Sequence, residues 1–228
     1  MTDLASWGTA SAPARHALLR VEPAAYALML AGRPDLTGEA LLADWAALGR
    51  PLIARRRTSC DLAGCVAAGI ALPPSHGKKR IALQLETGTI RAVAPPPVLQ
   101  DAAHAAPAGW RAAIAAIVGL CEHAGVEARV FGALAWSSLT GLEYLSASSD
   151  LDLLVAVNED TDVAALLHGL ARIESTAPMR LDGEIVRLGL AANWRELNAG
   201  GREVLVKTID GVLMRPRGVM FPSSVSCA

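Results

Sequence analysis

Several features that would mark a particular class of protein are scarce in this chain of 228 residues. Aromatic residues make up only 4% of it, so we expect a core of small and aliphatic side chains. The formal net charge is -1, whereas a protein that neutralises many phosphates of a nucleic acid carries a clear positive excess. The four cysteines do not have the spacing of a zinc site. These features argue against a nucleic-acid-binding protein and against a zinc protein.

Long apolar runs are also missing. The first apolar stretch, Ala24–Ala31, is too short to span a membrane and has neither a basic start nor a clear cleavage site. Hydrophobic residues make up 52% and charged residues 19% of the chain, which is typical of a globular protein. We therefore expect a cytoplasmic protein with reduced thiols that does not insert into membranes.

Proline is concentrated at residues 94–107, which read APPPVLQDAAHAAP. Because proline fixes its own φ and donates no hydrogen bond, this segment favours neither a helix nor a central strand. It predicts an N-terminal α+β domain of residues 1–94, a proline-rich linker of residues 95–107 and a second domain of residues 108–228. Residues 1–106 hold 11 Lys and Arg against 8 Asp and Glu, and residues 107–228 hold 10 against 14. This charge difference suggests separate tasks for the two regions.

Local patterns indicate helices and strands in both regions. Capping residues and apolar spacing predict helices at Thr37–Leu48, Trp110–His123 and Ala133–Leu139. Apolar runs predict strands at Pro51–Arg56, Arg80–Leu85, Val126–Phe131 and Leu151–Val157. Two Asp-Gly pairs, at 182–183 and 210–211, predict tight turns within hairpins at about 179–190 and 203–215. The predicted fold class is α/β (α+β), with a mixed sheet in the second domain.

The motif with the clearest chemistry is Asp150-Leu151-Asp152, at the start of a predicted buried strand. Residues i and i+2 of a strand point to the same face, so the two carboxylates are expected to lie together. Two like charges held this close repel each other unless a cation neutralises them. Mg²⁺ is commonly held by one or two carboxylates together with substrate phosphates. We therefore predict that Asp150 and Asp152 are catalytic and bind Mg²⁺, with Mn²⁺ as an alternative.

A glycine turn supplies the second part of the predicted site. A short strand ends at Gly132, and a helix begins directly after it. The first turn of a helix has free backbone N–H groups and the positive end of the helix dipole, so it suits a phosphate. Glycine lets a phosphate chain approach the backbone closely. Gly132 and Ala133 are therefore predicted to bind substrate.

This order of strand, glycine turn, helix and Asp-x-Asp strand resembles the nucleotidyltransferase superfamily that includes DNA polymerase β. A longer set of strings resembles one branch of it, the malonate decarboxylase holo-acyl-carrier-protein synthases, which are phosphoribosyl-dephospho-CoA transferases. The strings are Gly132-Ala-Leu-Ala-Trp136, Leu139-Thr-Gly-Leu142, Tyr144-Leu145, Ser149-Asp-Leu-Asp-Leu-Leu154, Asp182-Gly-Glu184, Trp194-Arg-Glu196 and Leu205-Val-Lys207. Arg15-His16, Gly49-Arg50-Pro51 and Gly77-Lys-Lys-Arg80 extend the resemblance into the first half. Ala17 and Ala133 depart from it, since Asp and Ser are expected there.

The resemblance implies a polymerase-β-like catalytic domain and a specific reaction. Such an enzyme transfers a phosphoribosyl-dephospho-CoA group from 2′-(5″-triphosphoribosyl)-3′-dephospho-CoA to a serine of the acyl-carrier subunit of malonate decarboxylase, and pyrophosphate leaves. Asp150 and Asp152 would hold two metal ions, with Glu184 as a third carboxylate and Asp182 as its competitor. Ser149, Lys207 and Arg80 would also bind substrate.

The first domain is then expected to bind the substrate or the carrier protein. Two basic clusters, Arg55–Arg57 and Lys78–Arg80, would attract an acidic carrier or the phosphates of the CoA moiety. Two other functions stay open at this point. One is a nucleotidyltransferase that adenylylates a small molecule or a protein, and the other is a non-catalytic nucleotide-binding regulator. The intact Asp-x-Asp motif argues against the regulator, whereas Ala133 in place of serine keeps that possibility open.

Overall fold

The computed structural model describes residues 7–220, and the chain divides into two compact units, Met1–Pro96 and Pro97–Ala228. Both units combine helices with a β-sheet, and the second sheet is mixed, so the predicted fold class is confirmed. Cys227, one of the four cysteines considered above, lies outside the described residues.

The first unit is built on an antiparallel sheet of five strands in the order β4-β3-β2-β1-β5. Its elements are β1 (Leu18–Val21), α1 (Pro23–Ala31), α2 (Ala40–Ala43), β2 (Leu52–Ala54), β3 (Cys65–Ala71), β4 (Arg80–Glu86) and β5 (Ile90–Ala94). Burial alternates along β4, where Ile81, Leu83 and Leu85 are buried and Arg80 is exposed. This alternation shows that one face of the sheet packs against the core of the unit.

The predicted helix Thr37–Leu48 is wrong over most of its length. Only Ala40–Ala43 is α-helical, and Glu39 rather than Thr37 precedes its first residue. The chain then passes through turns up to Gly49. Trp45 is fully buried, and its indole N–H donates a hydrogen bond of 3.0 Å to the carbonyl of Pro51. Burial of this side chain and its hydrogen bond outweigh the helix propensity of the segment.

An ion pair stabilises the loop between β2 and β3. The Arg55 guanidinium binds the carboxylate of Asp61, whose side chain is only 2% exposed, and also donates to the carbonyl of Ala68 at 3.0 Å. Asp61 further accepts the backbone N–H of Thr58 at 2.7 Å. The bonds from Arg55 hold the pKa of Asp61 well below its usual range. The depressed pKa means that ionised Asp61 stabilises the fold at neutral pH.

We expect the substitution Asp61→Asn to lower the free energy of unfolding at pH 7 by about 2 kcal/mol, because it leaves the half-buried Arg55 guanidinium without its counter-charge. The folded-state pKa is lowered, so the difference from the wild type should be present above about pH 4 and should shrink as the pH falls below that value. Urea unfolding at several pH values measures it. The matched control is Asp35→Asn, which breaks an exposed pair with Arg33 and should change nothing measurable.

The second unit is built on a mixed sheet of six strands in the order β11-β10-β9-β8-β7-β6. Its elements are α3 (Leu99–Ala102), α4 (Arg111–His123), β6 (Ala128–Val130), α5 (Gly132–Thr140), β7 (Leu151–Ala156), α6 (Val163–Glu174), β8 (Leu181–Arg187), β9 (Leu190–Asn193), α7 (Trp194–Asn198), β10 (Glu203–Lys207), β11 (Val212–Pro216) and α8 (Arg217–Met220). Strands β7 and β8 are parallel and are joined through α6, while the other neighbouring strands are antiparallel.

The two faces of this sheet differ in chemistry. Leu151, Leu153 and Val155 of β7 belong to the hydrophobic core, together with apolar residues of α4 and α6. Asp152 lies between Leu151 and Leu153 and therefore points to the opposite face. The Asp-x-Asp motif thus follows from the strand period: one set of side chains fixes the strand in the core, and the alternate set carries the carboxylates.

Two features of the second unit differ from the sequence prediction. Part of the proline-rich segment is helical, because Leu99–Ala102 forms α3, and Leu99 and Ala102 are completely buried in the core of the second unit. The predicted turn at Asp182–Gly183 is wrong, since both residues lie inside β8 and pair with β7. A Cβ atom on Gly183 would lie 3.1 Å from Trp194 and 3.3 Å from Leu153, so glycine is explained by packing at this position.

The hairpin between β8 and β9 turns instead at Leu188 and Gly189, which have φ values of 50° and 75°. Positive φ at both positions is typical of a two-residue hairpin loop, but leucine is rarely found there, so the sequence carried little signal for it. The second Asp-Gly turn is confirmed at residues 208–211 between β10 and β11. There the Thr208 N–H donates a hydrogen bond of 2.8 Å to the carbonyl of Gly211.

Candidate active site

The carboxylates predicted from sequence share the face of the sheet opposite the core. Asp152 of β7 pairs in register with Asp182 of β8, so these two side chains are neighbours on the same face. Asp150 lies directly before β7. Glu184 also points to this face, but it pairs with Leu154, one repeat farther along the strands. By register, Asp182 is therefore closer to the Asp-x-Asp motif than Glu184.

Arg180 lies between two of these carboxylates. Its Nε is 3.1 Å from Oδ2 of Asp150, and its Nη2 is 3.8 Å from Oδ2 of Asp182. The two aspartate side chains are 36% and 38% exposed, and the arginine is 60% exposed, so the cluster is open to solvent. These distances show that Asp150, directly before β7, and Asp182, in the adjacent strand β8, both face the Arg180 guanidinium. Sequence reasoning did not identify Arg180.

Glu184 has a different partner. Its Oε1 accepts a hydrogen bond of 2.8 Å from Nζ of Lys207 on β10, and the Glu184 side chain is only 5% exposed. The lysine supplies positive charge beside a buried carboxylate, which lowers the cost of burying that negative charge. Lys207 keeps 34% of its side chain exposed and lies on the face of the sheet that carries Asp152, Asp182 and Glu184 (the carboxylate face). In this arrangement Glu184 fixes the position of Lys207.

The glycine turn lies directly against the carboxylates. The N–H of Phe131 donates to the carbonyl of Asp152 at 3.1 Å, which brings the start of α5 beside β7. Gly132 has a φ of 64°, and a Cβ atom built on it would lie 2.6 Å from Cγ of Asp152. Both the backbone conformation and the space therefore require glycine at this position. Ala133 follows as the second residue of α5 and is half-buried.

Ser149 shapes the loop that leads into β7. Its hydroxyl accepts the backbone N–H of Ser146 at 2.9 Å, and its own N–H donates to the Ser146 carbonyl at 3.0 Å. This small closed turn places Asp150 at the entry to the strand. The predicted role of Ser149 in substrate binding stays a prediction, and the structure gives the residue a local role in positioning Asp150.

A second layer of residues fixes the start of β8. The Leu181 carbonyl accepts bonds from the Trp194 indole at 3.1 Å and from the Arg195 guanidinium at 2.7 Å. The Leu181 N–H donates to Glu174 at 2.8 Å, and Glu174 in turn forms an ion pair with Arg195. This network holds the backbone between Arg180 and Asp182. It could not be identified from the sequence, because Glu174 and Arg195 are far apart along the chain.

Asn193 connects the Asp182 carboxylate to α7. Its Nδ2 donates to Oδ1 of Asp182 at 3.1 Å, while its Oδ1 accepts the N–H of Arg195 at 2.9 Å as the N-cap of the helix. One side chain thus caps a helix and orients a carboxylate. Serine can still cap a helix, but its side chain is shorter and lacks the amide N–H group that donates to Asp182.

We therefore expect Asn193→Ser to lower kcat several-fold with little change in the free energy of unfolding, because only the bond to Asp182 is lost. Asn193→Ala should lower kcat to the same extent and in addition destabilise the fold by about 1 kcal/mol through loss of the cap. Steady-state kinetics and thermal unfolding of both variants provide the comparison. Equal kcat values for the wild type and Asn193→Ser would exclude a positioning role.

The predicted metal ligands do not form a single three-residue group. Within residues 7–220 no three His, Cys, Asp or Glu side chains are placed together so that they could hold one metal ion. Two carboxylates on one face are nevertheless sufficient for Mg²⁺, which takes its remaining ligands from water and substrate phosphates. The cluster also already attracts a cation, since Arg180 lies against Asp150 and Asp182. The donor set therefore fits Mg²⁺ bound together with a phosphorylated substrate.

The basic clusters of the first unit are partly engaged in internal bonds. Arg55 binds Asp61, Arg57 donates to the carbonyl of Leu62 at 2.8 Å, and Lys79 forms an ion pair with Glu39. Arg80 lies at the start of β4 and is exposed, as are Arg56 and Lys78. Arg55 and Arg57 thus have structural roles that the sequence did not indicate.

Comparisons with known proteins identify the family of the chain. The model of the phosphoribosyl-dephospho-CoA transferase MdcG C-terminal domain matches residues 98–218, and the model of the MdcG N-terminal domain matches residues 14–96. The chain belongs to the phosphoribosyl-dephospho-CoA transferase family. The resemblance seen in the sequence is thereby confirmed, and the protein is a transferase. No solved structure matches the chain.

Relatives within this family are similar over most of their length. A phosphoribosyl-dephospho-CoA transferase of Bradyrhizobium diazoefficiens is 45% identical over 206 residues, which cover 90% of this chain and 91% of the relative. One of Xanthomonas campestris pv. campestris is 36% identical over 211 residues, covering 91% and 96%. One of Pseudomonas putida is 27% identical over 168 residues, covering 72% and 78%. Among the described residues of the present chain, no helix has the length and apolar character needed to cross a membrane.

Proposed function

We propose that this transferase moves the phosphoribosyl-dephospho-CoA group of 2′-(5″-triphosphoribosyl)-3′-dephospho-CoA to a serine hydroxyl of the acyl-carrier subunit of malonate decarboxylase. The observation that carries the proposal is the pairing of Asp152 with Asp182 beside the Gly132 turn, within a chain of the phosphoribosyl-dephospho-CoA transferase family. A triphosphate needs positive charge along its length, and an attacked phosphorus needs a fixed position relative to the acceptor. The carboxylate face has groups suited to supplying positive charge to the triphosphate and to fixing the position of the attacked phosphorus.

Each part of the site has a task in this reaction. The backbone N–H groups at the start of α5 would bind a phosphate, and Gly132 leaves the space for it. Lys207, held by Glu184, would neutralise a further phosphate charge. Asp150 and Asp152 would hold Mg²⁺, and a metal ion bound there would supply positive charge to offset the negative charge that develops in an in-line displacement. The serine oxygen would bond to the α-phosphorus of the triphosphate as the bond from that phosphorus to the oxygen bridging to the β-phosphate breaks. Pyrophosphate would depart, and the hydroxyl proton would pass to water.

Incubation with the triphosphate precursor, the carrier subunit and Mg²⁺ tests this function. We expect the mass of the carrier to increase by one phosphoribosyl-dephospho-CoA group on a serine, with release of one pyrophosphate. A carrier variant with that serine replaced by alanine is the control and should stay unmodified. Modification should stop when EDTA removes the metal and should resume with Mg²⁺ or Mn²⁺. An adenylylated product formed from ATP would instead indicate a different nucleotidyltransferase, and binding without turnover would indicate a regulator.

We further propose that the exposed basic residues Lys78 and Arg80 attract the acidic carrier protein. Replacing both with alanine should raise the KM for the carrier several-fold without changing the KM for the precursor. The effect should fade near 1 M salt, where the Debye length is about 3 Å. Arg91→Ala is a matched control, because it removes an exposed arginine from another strand of the same sheet. A change in the precursor KM alone would assign these residues to phosphate binding, and no change in either KM would leave them without a role in catalysis.

A further inference from the structure

The position of Arg180 is fixed at its backbone but not at its side chain. Its carbonyl accepts the N–H of Leu151 at 2.9 Å, so the residue is held beside the start of β7. Its guanidinium extends over the carboxylate face to Asp150 and Asp182, and 60% of the side chain remains exposed. The arginine is therefore anchored at the site while its charged end has room to move.

Stability does not account for this arrangement. Ion pairs with this much solvent exposure contribute little to the free energy of unfolding, because water screens the charges and both side chains lose freedom. The ion pairs instead reduce the repulsion between Asp150 and Asp182, since two aspartates that face one point repel each other without a cation between them. A divalent cation held by Asp150 and Asp152 would neutralise Asp150 better than the arginine does, as it has twice the charge and prefers carboxylate oxygens. Arg180 and a metal ion would thus compete for the Asp150 carboxylate.

A released Arg180 would remain close to the reacting phosphates. The hydrogen bond from Leu151 keeps its backbone in place, so the guanidinium can move only within the reach of one side chain. A guanidinium is planar, keeps its charge at all physiological pH values and can form two parallel hydrogen bonds to a phosphate. It is therefore suited to bind a phosphate chain that enters together with the metal.

We propose that Arg180 neutralises Asp150 and Asp182 in the metal-free enzyme and binds the triphosphate chain of the substrate once a divalent cation held by Asp150 and Asp152 has displaced it from Asp150. This inference rests on the proposed function, because it requires a metal at the carboxylates and a triphosphate as substrate. It assigns two opposite effects to Arg180. The arginine weakens metal binding in the absence of substrate, and it strengthens binding of the triphosphate chain. A purely structural ion pair has neither effect.

Two binding measurements on the full chain test the inference without the transfer reaction. Electron paramagnetic resonance measures Mn²⁺ binding in the absence of substrate, and calorimetry measures the binding of inorganic triphosphate in the presence of Mg²⁺. In Arg180→Gln we expect Mn²⁺ to bind about tenfold more tightly, the size expected when one unit charge near a divalent ion is removed in water. Inorganic triphosphate should bind about tenfold more weakly. Arg180→Lys should bind Mn²⁺ as the wild type does and triphosphate with intermediate affinity.

Arg215→Gln is the matched control. Arg215 is exposed on β11 and pairs with the core residue Val204, so it points to the other face of the same sheet. Its replacement should change neither affinity. If Arg180→Gln binds Mn²⁺ and triphosphate as the wild type does, the inference is wrong and the proposed function stands. Weaker Mn²⁺ binding would also contradict it, because Arg180 would then support the carboxylates. Absence of Mn²⁺ binding in both proteins would overturn the inference together with the proposed metal site.

Discussion

Replacement of Asp152 with asparagine is expected to lower the rate of transfer by about three orders of magnitude, which corresponds to several kcal/mol of lost charge stabilisation. The amide keeps the shape of the side chain but removes the charge needed to hold a divalent cation. Asp152 points away from the core between Leu151 and Leu153, so the fold should be preserved. Asp150→Asn should have an effect of the same order. Mass spectrometry of the carrier subunit after single-turnover incubation measures the rate.

The control for this prediction is Asp160→Asn, which removes a carboxylate from the loop after the other end of β7. It should leave the transfer rate within a factor of two of the wild type, a difference of less than about 0.5 kcal/mol. Circular dichroism and thermal unfolding should be the same for all three variants. If Asp150→Asn and Asp152→Asn both kept wild-type rates, the metal-site assignment would be wrong, while the membership in the family would be unaffected.

Replacement of Gly132 with alanine is the second change with a large expected effect. The new methyl group would overlap the Asp152 carboxylate, since an ideal Cβ lies 2.6 Å from Cγ, and the residue has a φ of 64°. Either the carboxylate or the start of α5 must therefore move. A displacement of about 1 Å in an active site costs about a hundredfold in rate, so we expect at least this loss in kcat/KM.

The variant Gly141→Ala separates the two possible causes of this loss, which are steric overlap with Asp152 and backbone strain at a positive φ. Gly141 follows the last residue of the same helix and has a φ of 70°, but an ideal Cβ atom at this position would have no atom within 4 Å beyond its immediate chain neighbours. Alanine there should cost about 1 kcal/mol of stability through backbone strain and leave the transfer rate unchanged. If Gly132→Ala and Gly141→Ala reduced activity equally, the close approach to Asp152 would have no part in the loss. Thermal unfolding together with kcat/KM distinguishes the two effects.

Several parts of the second unit could be predicted because their signals are local. The helix predicted at Trp110–His123 is observed at Arg111–His123, and the strand predicted at Leu151–Val157 is observed at Leu151–Ala156. Both have an apolar pattern that agrees with the period of the element, and glycine follows the helix closely. The helix after Gly132 was predicted for the same reason. Period and capping act over a few residues, so one sequence suffices to identify them.

The errors have a common physical cause, which is packing between residues distant in sequence. Asp182–Gly183 has the composition of a tight turn, yet parallel pairing with β7 and contact with Trp194 place it in a strand. The segment from Thr37 has the composition of a helix, yet burial of Trp45 interrupts it. In both cases tertiary contacts outweigh a local preference of at most about 1 kcal/mol per residue.

The sequence by itself determined the family, the α/β class and the Asp150–Asp152 pair at the start of one strand, because motif spacing and strand period are properties of the chain alone. Only the tertiary structure decided which groups meet that pair. It placed Asp182 beside Asp152, Arg180 between Asp150 and Asp182, and Lys207 on Glu184. These residues come from separate strands, and their relative positions depend on strand order and register, which are fixed by burial of the opposite face of the sheet.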